Sequence, residues 1–336
     1  MPAPSHPRVL AVRFSSIGDI LLTTPLLRAI RRRYADARIT VVTKEEYLPL
    51  LSHNPNLDRV VGLAAGQSLR SLAGELRRER YTHRLDLHGS LRSLALRALV
   101  GGRWSGYPKH RMARAWLIRT KRVRYRDRRP VAERYFSAAE GLEVAPDGSP
   151  PDLTIGSESE AEATAWLAGS GLRPDGPIVS LAPGAAHATK RWPLDHWYQL
   201  VGELVANGVG VALVGGPGDA TMANSLADRP GVASAAGRLG LQASAALLRR
   251  SAVVVSGDTG VMHLATAVGT PAVALFGPTV KAFGFAPYSE RSAVLELELA
   301  CRPCSAHGGR RCPLGHHRCM IDIGPRLVYE TVRRSL

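Results

Sequence analysis

Short, mainly apolar runs recur along the chain, each followed by a polar or glycine-bearing turn and then by a stretch with helical spacing. In the first half they lie at 9–14, 38–42, 59–62 and 84–87, and in the second at 178–181, 209–214, 253–255 and 272–276. Runs that do not alternate with polar residues suit strands buried on both faces of a parallel sheet. Helices are expected between them: from the turn at 15–19 to about Tyr34, at 69–80, 91–99, 131–140, 160–168, 193–205 and 325–336. Pro25 falls near the start of the first, where its missing N–H costs little if the helix begins late. In the last, Leu327, Val328, Val332 and Leu336 hold the apolar positions.

Strand, turn and helix in that repeated order predict a doubly wound α/β fold. A chain of 336 residues is long for a single core, so two such domains are expected. The stretch 144–159 carries Pro146, Gly148, Pro150, Pro151 and Gly156 and reads as the linker between them. The expected division is 1–155, 156–322 and a terminal helix at 323–336. Two facing sheets of this kind imply a cleft.

Open α/β sheets take ligands at the carboxyl ends of their strands, so the turns there are where chemistry is sought. The stretch from Ser251 to Thr279 is a compact strand–loop–helix–loop–strand unit whose loop is Ser256-Gly257-Asp258-Thr259-Gly260. The first turn of a helix leaves amide N–H groups without partners and carries partial positive charge, which suits a phosphate. Asp258, Thr259 and Gly260 stand at that position, with His263 one turn further on. An ordinary capped core helix explains the same residues. Lys190 and Arg191 follow the strand at 178–181 and are either phosphate ligands or solvated loop cations. Asp19 follows the first strand and is either a carboxylate offered to a ligand or an N-cap or first-turn carboxylate favoured by the helix dipole. Asp86, His88, Gly89 and Ser90 open at the same edge and read as a ligand contact or a simple turn. No G-x-G-x-x-G follows the first strand, which counts against a dinucleotide fingerprint.

The formal net charge of +16 calls for an anionic partner: nucleic acid, an anionic membrane or phosphorylated substrates. Much of it lies in 101–129, where Arg103, Lys109, Arg111, Arg114, Arg119, Lys121, Arg122, Arg124, Arg126, Arg128 and Arg129 are interleaved with Trp104, Tyr107, Trp116 and Tyr125. This density favours an anion-binding surface over a solvated face, with Lys109, Arg111 and Arg114 at its centre. No secretory signal and no run of about eighteen apolar residues is present, so a cytoplasmic protein that touches a membrane from outside is expected. Cys301, Cys304, Cys312 and Cys319 open with C-x2-C, but the second pair is spaced differently. Structural zinc, disulfides and free thiols all remain open.

Three motifs taken together resemble the family 9 glycosyltransferases, the ADP-heptose:lipopolysaccharide heptosyltransferases. They are Val12-Arg13-Phe14-Ser15-Ser16-Ile17-Gly18-Asp19-Ile20, Pro183-Gly184-Ala185 with Lys190-Arg191-Trp192-Pro193, and Asp258 to Ala265 with Gly269-Thr270-Pro271 through Thr279. The resemblance covers nearly the whole chain, and the cysteine segment looks like the tail of a subset of the family. It implies the GT-B fold: an N-terminal acceptor domain, a C-terminal nucleotide-sugar domain and a last helix that packs back on the first. It implies inverting transfer of heptose from ADP-heptose to the lipopolysaccharide inner core, with no metal ion needed for catalysis. The residue matching Asp19 is then the general base, Lys190 binds donor phosphate, and Asp258, Thr259, Gly260 and His263 line the donor site. Asp219 falls near an acidic ribose ligand. The basic segment would meet the anionic acceptor and the inner membrane surface.

The rivals are a GT-B transferase using a UDP- or GDP-sugar, a nucleic-acid-binding protein motivated by charge, and a metal-binding regulator built on the cysteines. No helix-turn-helix, RRM or zinc-finger pattern supports nucleic acid as the partner.

Overall fold

The computed structural model describes residues 6–123, 127–173 and 175–336. Arg124, Tyr125 and Arg126 of the basic run lie outside the described residues. By internal contacts the chain forms two units, Met1–Lys109 with Val131–Thr154, and His110–Pro130 with Ile155–Leu336.

The first unit is built on a parallel sheet of β1 (Arg8–Val12), β2 (Arg38–Lys44), β3 (Arg59–Leu63), β4 (His83–Asp86) and β5 (Ser105–Gly106). Their order is β3-β2-β1-β4-β5, with Val12 opposite both Val42 and Asp86. Helices cover the strands, so β1 is apolar without alternation, and Val9 to Val12 are all essentially inaccessible. The helix Leu69–Arg77 starts where the Ser68 hydroxyl accepts the Ser71 amide, and it buries Leu72, Ala73 and Leu76 against Leu10, Val12 and Phe14. Each large aliphatic side chain buried this way contributes about 1.5–3 kcal/mol.

The expected helix from the turn at 15–19 to Tyr34 is two helices, Ile17–Leu21 and Thr24–Arg33. The Thr23 and Thr24 hydroxyls donate to the carbonyls of Ile20 and Leu21, competing with the continuing helix, and Pro25 then stands in the first turn of the second.

The second sheet is also parallel: β6 (Ile178–Ala182), β7 (Gly210–Leu213), β8 (Val232–Ser234), β9 (Val253–Gly257), β10 (Ala272–Phe276) and β11 (Ala293–Glu296), in the order β11-β10-β9-β6-β7-β8. Val253 to Val255 and Ala272 to Phe276 are buried throughout.

Two segments do not lie where expected. The last helix, Pro325–Arg333, buries Val328, Tyr329 and Val332 in the core of the second unit, with Trp197, Leu200 and Leu204 of the helix Leu194–Ala206. The Trp192 indole N–H donates to the Ile323 carbonyl just before it at 2.8 Å. The reading of that helix as packing on the N-terminal domain is therefore corrected: its apolar stripe completes the second core.

The second correction concerns Arg111 and Arg114, expected on a surface of the acceptor domain. Their helix, Arg111–Thr120, belongs to the second unit, where Leu117 and Phe283 are buried together. The Arg114 guanidinium stands 5.2 and 5.5 Å from the ring centroids of Phe283 and Phe285. An apolar stripe inside a basic segment has decided where that segment packs.

The linker is tied at both ends. Asp152 accepts from Arg28 and from the Asn54 amide in the first unit, and the Gly156 amide donates to Gln242 in the second. Among the described residues no helix is long and apolar enough to cross a membrane.

Candidate functional sites at two switch points

In each sheet the strand order reverses once, between β1 and β4 in the first and between β6 and β9 in the second. A crevice opens at such a point at the carboxyl ends of the strands. The residues singled out from the sequence gather at these two places.

At the first, the chain leaves β1 through Arg13, whose side chain turns inward and is 8% exposed. Its Nη2 lies 2.5 Å from Asp19 Oδ1. Nε donates to the Ser15 carbonyl at 2.8 Å, and Nη1 donates to the Leu87 carbonyl at 2.6 Å and to the Tyr107 hydroxyl at 3.4 Å. The guanidinium carbon is 5.9 Å from the centre of the Tyr135 ring, and that ring meets Tyr107 edge-on at 4.6 Å. Burial opposes the charge of Arg13, but Tyr135, Asp19 and Tyr107 outweigh it and hold the cation more firmly than usual. Asp19 also accepts, through Oδ2, longer contacts from the Ser16 hydroxyl at 3.2 Å and the Ser16 amide at 3.4 Å. Thus Ser16 is the N-cap and Asp19 stands in the first turn as the third residue of a capping box, and the same carboxylate is ion-paired at the switch point.

The loop after β4 faces it. Asp86 Oδ1 accepts the amides of His88 and Gly89, and Oδ2 accepts the Ser93 hydroxyl, which fixes the turn into the helix Leu91–Val100. Lys109 Nζ donates to the carbonyls of His88 and Gly89, so this cation braces the loop from beneath. Gly89 has φ +55, a conformation that favours glycine, and a Cβ there would push the Lys109 side chain, 2.9 Å away at Cε, off the loop. Burial, then the cations of Arg13 and Lys109, lower His88 to about 4, and it is neutral at pH 7. Burial likewise pushes the Tyr107 and Tyr135 phenols up, with Arg13 pulling the other way.

At the second switch point Lys190 ends a short turn, Ala188–Lys190, that follows β6. Its Nζ is 2.7 Å from Asp258 Oδ2 and donates to the Asp258 carbonyl at 2.9 Å. The Thr279 hydroxyl, from the loop after β10, donates to the same carboxylate at 2.6 Å. Thr259 caps the helix Gly260–Ala267 with extended backbone, its hydroxyl 2.9 Å from that of Ser256. The amides of the first turn therefore open beside Lys190. His263 is one turn on and buried.

Asp219 follows β7 and accepts the Gly216 amide at 3.0 Å. A Cβ on Gly184 would come within 2.0 Å of its Oδ1, so the carboxylate lies directly against the Ala182-Pro183-Gly184 turn leading to Lys190. Lys190, Asp219, Asp258, Thr259 and Gly260 thus share one sheet edge.

The cysteine segment, for which zinc, disulfides and free thiols were all open, packs on that edge. Gly309 exchanges hydrogen bonds with Thr189, and His317 Nε2 lies 2.9 Å from the Thr189 carbonyl. The buried Arg302 guanidinium spans the carbonyls of Phe276, Gly277 and Thr279. All four cysteines are free, and among the described residues no three His, Cys, Asp or Glu side chains stand together as metal ligands. Cys319 serves the apolar core beside Met320 and Ile323, and burial, then the neighbouring Cys304, pushes its thiol up to about 11.

The sequence reading passed over Arg13, Tyr107 and Tyr135 as functional groups. The signal available was an arginine directly after a fully apolar strand, at the edge where ligands bind.

A family model described as glycosyltransferase family 9 (heptosyltransferase) matches residues 69–314. The lipooligosaccharide heptosyltransferase 2 of Haemophilus influenzae is 27% identical to the chain, over 98% of it and 99% of that protein. Among solved structures, a glycosyl transferase family 9 protein from Veillonella parvula aligns with a TM-score of 0.83 at 22% identity, covering 100% and 98% of the two chains. The ADP-heptose lps heptosyltransferase II of E. coli aligns at 0.75 and 25% identity, covering 98% of each.

Proposed function

The chain belongs to glycosyltransferase family 9, the heptosyltransferases, and we propose that it moves a heptose from ADP-heptose onto the inner core of lipopolysaccharide. The observation that carries this reading is the cluster of Lys190, Asp258, Thr259 and Gly260 at the second switch point, with Asp219 at its side. A helix N-terminus and a held ammonium meet a diphosphate; a carboxylate near them meets ribose hydroxyls. The names of relatives, which specify heptose and for the E. coli protein ADP-heptose, support ADP-heptose as the donor.

In the proposed reaction the acceptor hydroxyl attacks the anomeric carbon from the face opposite the diphosphate, and Asp19 takes its proton. The new carbon–oxygen bond forms as the bond to the β-phosphate oxygen breaks, and ADP leaves with that electron pair. The anomeric configuration inverts. ADP is already a good leaving group, so it needs charge neutralisation more than a proton, and Lys190 with the amides of Thr259 and Gly260 supplies it without a metal ion in the scheme. Asp258 holds Lys190 at the edge for this purpose, and the Thr279 hydroxyl fixes that carboxylate.

The acceptor carries phosphates and acidic sugars, and the net charge of +16 suits both it and an anionic membrane surface. We therefore place the enzyme in the cytoplasm, peripherally on the inner face of the inner membrane, with no role for nucleic acid. Sedimentation with anionic vesicles, abolished by salt, is the outcome that supports this; equal binding to neutral vesicles opposes it.

The decisive assay offers ADP-heptose, UDP-sugars and GDP-sugars with a panel of truncated core acceptors. Heptose transfer from ADP-heptose alone is expected. Asp19→Ala should abolish turnover and leave ADP binding intact, while Lys190→Ala weakens both. Full activity in Asp19→Ala would remove the proposed base, and preference for another nucleotide sugar would overturn the donor.

A further inference from the structure

A carboxylate that serves as a base must be held at one angle to the hydroxyl it deprotonates, and an exposed capping aspartate is not held that way. Asp19 is on a helix of one and a half turns, Ile17–Leu21, whose own contacts to the carboxylate are the long ones from Ser16. The short contact comes from Arg13. That guanidinium is almost wholly buried, and its planar fork is committed on three sides: to the Ser15 carbonyl, to the Leu87 carbonyl, and to the Tyr107 hydroxyl above the Tyr135 ring. Burying a guanidinium costs several kcal/mol unless its donors are met. A charge placed so deep, directly after β1, is not needed by the strand, whose preceding residues Val9 to Val12 are apolar and fully packed. Among the described residues its salt-bridge partner is the proposed base.

We infer that Arg13 is the positioning residue of the transfer, fixing the orientation in which Asp19 meets the acceptor hydroxyl by tying it to β1, the loop after β4 and the Tyr107–Tyr135 pair. This rests on Asp19 being the base. The other ionisable groups around Asp19 do not duplicate the role. His88, across from it, is neutral near pH 7; Tyr107 and Tyr135 are uncharged phenols; Lys109 is turned to the carbonyls of His88 and Gly89, and Asp86 to Ser93 and the amides of its own loop.

Lysine and glutamine separate orientation from charge. Arg13→Lys keeps a buried cation but cannot reach the two carbonyls, the hydroxyl and the carboxylate in one plane. Its kcat should fall about a hundredfold, the cost of a misplacement near 1 Å, with the KM for ADP-heptose and the acid limb of the pH–rate profile unchanged. Arg13→Gln should lose kcat similarly and also move the acid limb to higher pH, because the opposite charge that favours the ionised carboxylate is gone. ADP binding, measured by calorimetry on both variants, should match the unmodified enzyme. A kcat within threefold of the unmodified enzyme in Arg13→Lys, or an unmoved acid limb in Arg13→Gln, overturns the inference. Should either variant not fold, Tyr107→Phe carries the test from the far side of the guanidinium: kcat should fall several-fold at constant KM for ADP-heptose, and no change overturns the inference. Asp19→Ala is run beside them. If it turns over normally, the base reading fails and this inference with it; if it is dead while the Arg13 variants behave like the unmodified enzyme, this inference alone fails.

Discussion

At the scale of single residues, burial decides which side chains of the first switch point change charge. His88 is lowered to about 4 by burial and by the cations of Arg13 and Lys109. Between the ordinary histidine value near 6.5 and that value, the unfolded chain binds a proton that the folded chain refuses, so folding stability falls as pH drops through this window and is unaffected above it. His88→Gln removes the titration. Melting temperatures at pH 7 and pH 4.5 should therefore converge in the variant relative to the unmodified protein, and parallel curves would contradict the assignment. Asp19, Lys190, Asp258, Thr259 and Gly260 were legible because each follows an apolar strand, where a ligand edge is expected. Arg13 was quoted in a motif but not given a part. An arginine after an apolar run reads as a return to solvent, and the groups that bury it, Leu87 and Tyr107, lie 74 and 94 positions away.

Among elements, periodicity located the long strands and most helices, because each buries a stripe wide enough to mark the sequence. It could not locate β5 and β8, two and three residues long, nor β11, whose four residues are all only partly buried and so mark no apolar run. Nor could it reveal that two strand-end turns interlock. Gly184 after β6 and Asp219 after β7 approach so closely that any Cβ on residue 184 must move the carboxylate. Gly184→Ala should therefore weaken ADP binding about tenfold, the loss of roughly one charge-assisted hydrogen bond. In an Asp219→Ala background the same substitution should cost nearly nothing, since the group it displaces is already gone. Calorimetric titration of the two single variants and the double variant gives the coupling; strict additivity would mean that Gly184 acts on the loop backbone and not through Asp219.

For the whole molecule, the second unit is assembled from three stretches of sequence: its own strands and helices, the terminal helix, and His110–Pro130, which is drawn from within the first half of the chain. Composition pointed to an anion-binding surface in that last stretch, and the charge is there. What composition could not convey is that Leu117 inside it covers Phe283, from the loop after β10 that also supplies Thr279 to Asp258. Its packing thus belongs to the unit that carries the proposed donor site. Leu117→Ala leaves a cavity against Phe283 and should cost about 2–5 kcal/mol of stability. The loss has an address. Amide hydrogen exchange should quicken at Lys281–Phe283 and in β10, while β1 to β4 keep the protection of the unmodified protein, because local opening follows the contacts that were removed. Saturating ADP should restore part of the lost protection, as ligand binding to the folded state stabilises the unit that holds it. Faster exchange in β1 to β4 with β10 unchanged would mean that the inserted helix stabilises the first unit, and the division of the chain would have to be redrawn.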